Sequence, residues 1–246
     1  MVCKLCGQVR KLVKAHIIPR SFYARVSDSQ FGTLVLTDVD GEYPKKCYSG
    51  LYDDTILCSY CDNNIIGVYD DYAKKIFVDE LFNIDPIFFG GEVVGYKTND
   101  IDYIKTKMFF ISVLWRASVS SQHHFKGVSL GPFEEIARKM IFTNDPAQKD
   151  DFSVIIYKLS DVDYAMFTPY LTKQDGVNFY KVFLPGYCAF VKVDKRKAPE
   201  SLRYAQITAN EPIRIVSKQL IGSRDGRAAS KIAQANLGRI KIREPN

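Results

Sequence analysis

CKLC at Cys3 to Cys6 and CSYC at Cys58 to Cys61 are the stretches on which the reading of this chain turns. Each pair leaves two residues between its thiols, a gap that lets both sulfurs reach one ion. Four thiolates so arranged are the ligand set of a tetrahedral structural Zn²⁺, and Cys3, Cys6, Cys58 and Cys61 are assigned to it. Six cysteines in 246 residues are too few and too unevenly placed for a disulfide framework. Cys47 and Cys188 have no partner at metal spacing and read as small hydrophobes.

Working outward, residues 12–18 (LVKAHII) follow a Gly7 turn, alternate enough to be a strand, and stop at Pro19. After the second pair, Ile65, Ile66, Tyr69, Tyr72, Ala73, Ile76 and Phe77 recur at three- and four-residue steps, which predicts a helix over 62–82. Asp62, Asn63 and Asn64 supply its cap and a favourable charge at its start. A knuckle, a β-hairpin and a helix beginning at the second knuckle make a treble-clef finger over residues 1–82.

Residues 83–246 read as a separate α+β domain. A long buried helix is expected over 100–121, and a second over FEEIARKMIF, opened by Gly131 and Pro132, with Phe133, Ile136, Ala137, Met140 and Ile141 on one apolar face. His123 and His124 read as complements to the C-terminal end of the first helix rather than as ligands. From Phe152 the period changes to two: FSVIIYKL, VNFYKVFL and YCAFVKV joined through Pro185 and Gly186, then PIRIVS, predict an antiparallel sheet. Its aromatics (Phe179, Tyr180, Phe183, Tyr187, Phe190) read as core. A small-residue helix over 227–236 ends the chain. The fold class is therefore α+β.

Three segments, CKLC, AHIIPRS at Ala15 to Ser21 and DDTILCSYCDNN at Asp53 to Asn64, together resemble the HNH, or ββα-metal, endonucleases, in the subset buttressed by two CxxC pairs. The resemblance covers about the first 80 residues. It implies metal-dependent hydrolysis of phosphodiester bonds in DNA, with His16 as the general base. It places Asp53 where the family has the residue, usually Asn, that orients that histidine or its loop, and Asp62 where the family's catalytic-metal ligand stands. The sequence departs from the family in Ala15, where a metal-binding Asp or His is usual, and in having Asp at 53 and 62 rather than Asn and His. Carboxylates suit a hard ion, so the implied catalytic cation is Mg²⁺ or Mn²⁺, held by Asp62 with Asp53, with Asp54 or Asp70 as further nearby carboxylates. The run from Ser112 to Arg116 is similar to the second half found after such modules and identifies no chemistry. Ala15 keeps open the alternative of an inactive zinc module that binds nucleic acid or a protein partner.

His16 also stands out on its own chemistry. It is the only histidine in the first 120 residues, between basic Lys14 and Arg20, and a neutral imidazole can take a proton from a water facing a phosphate. A satisfied core histidine or a substitute zinc ligand is equally compatible with its surroundings. Lys and Arg exceed Asp and Glu by 8 to 4 over residues 1–46 and by 12 to 4 over 195–246, whereas 47–100 carry 3 against 10. Basic ends of this kind attract a phosphate backbone, with Arg20, Arg25, Arg224, Arg227 and Lys231 as the candidate contacts. No stretch reaches the roughly 18–20 apolar residues of a membrane span, and the N-terminus is polar and basic. A cytoplasmic protein without membrane association is expected, with the second domain free to serve a homo-oligomer or a protein partner.

Overall fold

The computed structural model describes residues 1–26, 33–35, 45–47, 49–161 and 166–237; the basic residues Arg239, Lys241 and Arg243 lie outside them. It is a mixed α+β fold with four cysteines gathered at the N-terminus. The first elements are β1 (Ala15–His16), α1 (Arg20–Val26), β2 (Thr33–Val35), β3 (Lys45–Cys47) and β4 (Tyr52–Asp53). A π-helical turn (Cys61–Ile66) leads into α2 (Gly67–Phe77), and β5 (Asp85–Phe89), β6 (Glu92–Thr98), α3 (Tyr103–Val119) and α4 (Phe133–Thr143) follow. The C-terminal part holds β7 (Val154–Leu159), β8 (Tyr170–Gln174), β9 (Val177–Leu184), β10 (Tyr187–Lys192), α5 (Glu200–Arg203), β11 (Ile213–Lys218) and α6 (Arg224–Leu237).

The strand expected over 12–18 is much shorter: only Ala15 and His16 pair with Asp53 and Tyr52, while Leu12 makes a lone bridge to Cys58. The cause lies in the partner segment. The Asp53 carboxylate accepts the Thr55 amide at 2.8 Å, a local turn that lifts the next residues out of the ladder. The helix after the second knuckle also differs from expectation. Ser59 and Tyr60 are already helical, so Asp62, Asn63 and Asn64 lie inside the first turns and no side chain caps the π-helical turn. It ends at Phe77, not 82, and Glu80 turns the chain away with φ 51°.

Seven strands form one sheet in the order β5-β6-β11-β7-β10-β9-β8. It is antiparallel except at its centre, where β11 runs parallel to β7 with Ile215 opposite Ile156. Strands β5, β6 and β8 were not expected from the alternation, although Gly90 and Gly91 (φ 59° and 87°) between two apolar runs are a hairpin signal. Along β10 the side chains alternate between two cores: Tyr187, Ala189 and Val191 on one face, Cys188 and Phe190 on the other. All five aromatics expected in the core are buried there.

The first core is continuous from Cys3 to Ile215, so the cysteine-rich end and the sheet share one buried interior. Its axis is α3, capped by Asp102, whose carboxylate accepts the Lys105 amide at 3.0 Å. Residues 106–117 of α3 are all buried, and Phe109 and Phe110 meet Phe77 of α2, which packs at 5.2 Å on Tyr187 of β10. Each such ring contributes roughly 1.5–3 kcal/mol of burial. In α4, Ala137, Met140 and Ile141 are buried as expected, but Ile136, at the margin of their arc, is exposed. His123 and His124 fall in a separate 3₁₀ turn beyond α3; the cation in the last turn of that helix is Arg116.

Candidate functional site

The metal-ligating end is built from turns. Gly7, at φ 71°, closes the first knuckle, with its amide on the Cys3 carbonyl at 2.8 Å and the Cys3 amide on the Gln8 carbonyl at 2.9 Å. The positive φ is a conformation glycine adopts without strain. The Cys58 amide donates to Cys3 Sγ at 3.3 Å, which brings the second pair onto the first. The four sulfurs lie within 4.8 Å of one another; Cys3, Cys58 and Cys61 are buried and Cys6 is half-buried. Burial and the neighbouring thiols, Cys3 foremost, push the Cys61 thiol far up, a cost that a central cation would reverse. Four cysteines so placed could hold a metal ion such as zinc. The knuckle is also tied to the helices: Lys4 Nζ donates to the Val119 carbonyl and Arg138 to the Leu5 carbonyl, both at 2.5 Å.

His16 sits a short distance along the chain. Its Nε2 is 2.7 Å from the carbonyl of Ser49. A carbonyl only accepts, so Nε2 carries the proton and Nδ1 is left as the basic nitrogen of the neutral ring. Tyr52, opposite on β4, meets the ring edge-on at 6.2 Å, and Lys14 lies 5.1 Å over the Tyr52 face.

Asp62 and Asp53 meet different fates. Asp62 is half-buried in the π-helical turn, whose wider register is fixed by the Gly67 amide donating to the Asp62 carbonyl. Such turns recur at functional sites because they re-aim the side chains they carry. Among the described residues its carboxylate has no hydrogen bond. Burial raises its pKa, Arg116 and His16 pull it back, and Asp70 adds to the rise, so the four groups share one electrostatic neighbourhood.

Asp53, by contrast, is fully buried. Its Oδ1 accepts from the Thr55 amide at 2.8 Å and hydroxyl at 2.6 Å; its Oδ2 accepts from the Ser120 hydroxyl (2.8 Å) and from the Ser121 amide (2.7 Å) and hydroxyl (3.0 Å). Burial alone would raise its pKa, but these bonds overcome that and hold the carboxyl at about 2. Both oxygens are occupied in locking the β4 loop to the end of α3, which leaves no lone pair directed at a shared ion with Asp62. Among the described residues the four cysteines are the only group of three or more His, Cys, Asp or Glu atoms close enough to hold a metal, and His16, Asp53 and Asp62 do not form a second. Ala15 is wholly buried and supplies packing.

Asp70, a candidate partner of Asp62 at a hard-ion site, is instead taken up by Arg116, the residue that sequence reasoning passed over. Arg116 is fully buried and forks onto Asp70 at 2.7 and 2.8 Å. A lone arginine inside an apolar helix was the available signal, because such a charge is stable only when paired.

The phosphate-contact candidates are dispersed. Arg20 is exposed at the start of α1, and the Arg25 side chain lies outside the described residues. Arg224, Arg227 and Lys231 are exposed on α6. That helix is anchored by its buried Asp225, which bridges Lys181 at 2.7 Å and Lys218 at 3.3 Å, on a different part of the sheet from the α2–α3 contact. Arg227 donates to the Gly222 carbonyl. Compared with known protein families, curated proteins and solved structures, the chain matches none of them. No helix among the described residues is long and apolar enough to cross a membrane.

Proposed function

We propose that the protein is a metal-dependent nuclease that hydrolyses phosphodiester bonds in DNA, with a structural Zn²⁺ on Cys3, Cys6, Cys58 and Cys61. The observation that carries this reading is the pairing of an imidazole whose Nε2 is tied to the Ser49 carbonyl with a nearby half-buried carboxylate that has no hydrogen-bond partner among the described residues. The resemblance supports the same reading: the strand pair β1–β4 that bears His16 precedes the π-helical turn that bears Asp62, with α1, β2 and β3 between the two strands.

In this reading His16 Nδ1 removes one proton from the attacking water while its oxygen forms the new bond to phosphorus. The leaving oxygen departs with the bonding pair and is protonated from solvent. Asp62 would hold Mg²⁺ or Mn²⁺, and such an ion supplies positive charge for the oxygens that become more negative during displacement. Asp53 keeps the loop role that the resemblance gives it and is not a ligand. Arg20 and the exposed cations of α6 would contact the phosphate backbone.

One observation favours the rival reading, a zinc module that binds nucleic acid or a protein without cutting: Ala15 is buried and Asp53 is saturated, so the ion would rest on Asp62 with no second carboxylate from this strand pair. A plasmid-cleavage assay with Mg²⁺, Mn²⁺ and Ni²⁺ in parallel separates the two. Cleavage by wild type that falls by about 10² or more in His16→Ala, with zinc content and DNA affinity retained, supports the nuclease. Binding without cleavage under all three ions establishes the rival.

A further inference from the structure

Arg116 is among the largest fully buried side chains of the molecule. A guanidinium is tolerated there only when its donors are met. Nη1 and Nη2 fork onto the two oxygens of Asp70 on α2, at 2.8 and 2.7 Å. Nε and Nη2 reach the carbonyl and hydroxyl of Ser112, one turn back on α3, both at 3.3 Å. The remaining contact crosses to the other side of the site: Nη1 donates to the backbone carbonyl of His16 at 2.8 Å.

That contact acts on a short strand, packed through Ala15 and followed by core residues Ile17 and Ile18, whose backbone ladder is brief. β1 is two residues long, and beyond its ladder with Tyr52 and Asp53 the nearest backbone anchor is the Ile17 amide on the Leu51 carbonyl at 3.0 Å. Among the described residues the imidazole makes one hydrogen bond, to the Ser49 carbonyl, beside its edge contact with Tyr52. Backbone rotation at His16 would swing the ring about that hydrogen bond and move Nδ1. We infer that Arg116 and Asp70 are a positioning pair: α3 fixes the His16 backbone through Arg116, and Asp70 fixes the fork.

The inference rests on the nuclease reading for its catalytic consequence, but not for the geometry. Arg116 is not a phosphate ligand, since it is inaccessible and its charge is matched by Asp70. Lysine would not replace it, because a point-charge ammonium cannot bind both carboxylate oxygens as a planar fork while also meeting the carbonyl. It follows that residues beyond 82 complete the site rather than merely accompany it.

The test uses the full chain loaded with zinc. Arg116→Lys keeps the charge and removes the fork; the double variant Arg116→Met with Asp70→Leu removes both charges together, which avoids leaving one of them buried and unpaired. ¹⁵N spectra of the His16 ring report which nitrogen carries the proton, independently of activity. Wild type is expected to show the Nε2–H form alone, and the variants a mixture of the two tautomers. For cleavage, kcat is expected to fall by about tenfold or more with KM changed by less than about twofold, as for a misdirected base. Folded, zinc-containing variants with the wild-type tautomer and wild-type kcat would overturn the inference. So would failure of both variants to fold, which would make the pair purely structural. A wild type that cuts nothing defeats the nuclease reading, and the tautomer comparison then still decides whether Arg116 positions His16.

Discussion

Asp53 and Asp62 stand nine residues apart on either side of the second knuckle, and the fold treats them in opposite ways. Around Asp53 the chain converges with five donors, from Thr55, Ser120 and Ser121, and the carboxyl is held at about 2. Around Asp62 the described residues bring partial burial without donors, and the carboxyl is pushed up. A satisfied buried carboxylate has already exchanged its hydration for fixed hydrogen bonds and has nothing left for a ligand. A half-buried one without such bonds stays open to water and keeps its lone pairs for a cation. The contrast gives the Asp53 loop a structural role and, on the nuclease reading proposed above, leaves the Asp62 carboxylate open to an ion.

The largest expected effect falls on both regions together. Because Cys58 joins the two knuckles, Cys58→Ser or exhaustive chelation is expected to release the metal and unfold the first 80 residues, since binding to a structural Cys₄ site is worth on the order of 10 kcal/mol. Elemental analysis should find about one zinc per wild-type chain. A metal-free wild type with an intact N-terminal fold would remove the common support of both carboxylates.

The next effect separates them. Asp62→Ala is expected to lower cleavage by about 10² or more, with melting temperature little changed, because among the described residues the half-buried carboxylate has no hydrogen bond to lose. Partial recovery at higher Mn²⁺ would identify Asp62 as a ligand. A marked loss of stability in Asp62→Ala would erase the contrast.

Asp53→Ala should behave the other way, costing about 3 kcal/mol through the buried donors it strands, while activity per folded molecule stays near wild type. The same carboxyl gives a pH signature. Its folded pKa, about 2, lies below the ordinary 3.8, so its contribution is fully present above about pH 4 and is lost as pH falls toward 2. The difference amounts to roughly 2 kcal/mol. Acid unfolding of wild type and Asp53→Asn should therefore converge only as pH falls to about 2; parallel curves would show that the loop does not depend on the ionised form.

The smallest effect concerns a region remote from both. Replacing Arg224, Arg227 and Lys231 by alanine is expected to weaken DNA binding, with kcat unchanged. The salt slope should fall by up to about one unit for each phosphate no longer neutralised. An unchanged slope would mean that α6 carries only solvated charge.

Much of this architecture is written in local pattern. The CxxC spacing placed four sulfurs together because two intervening residues suffice to turn a chain around one ion, and the apolar periods of 3.6 and 2 located α3, α4, β7, β9, β10 and β11, although α3 and the central strands are buried on both sides. His16 could be singled out as the one imidazole in its region. What the pattern could not give depends on partners distant in sequence. The parallel seating of β11 against β7 is a property of the assembled sheet, since alternation is the same in either direction. Three of the five donors that occupy Asp53 come from Ser120 and Ser121 at the end of α3, 67 and 68 residues away. Arg116 looks like a misplaced charge in an apolar helix until the fold brings Asp70 and the His16 carbonyl to it from 46 and 100 residues away. Sequence determined which groups were available, because ligand type and periodicity are local properties. Tertiary structure decided which of them were already satisfied, because buried hydrogen bonds are met by whichever donors the packing delivers.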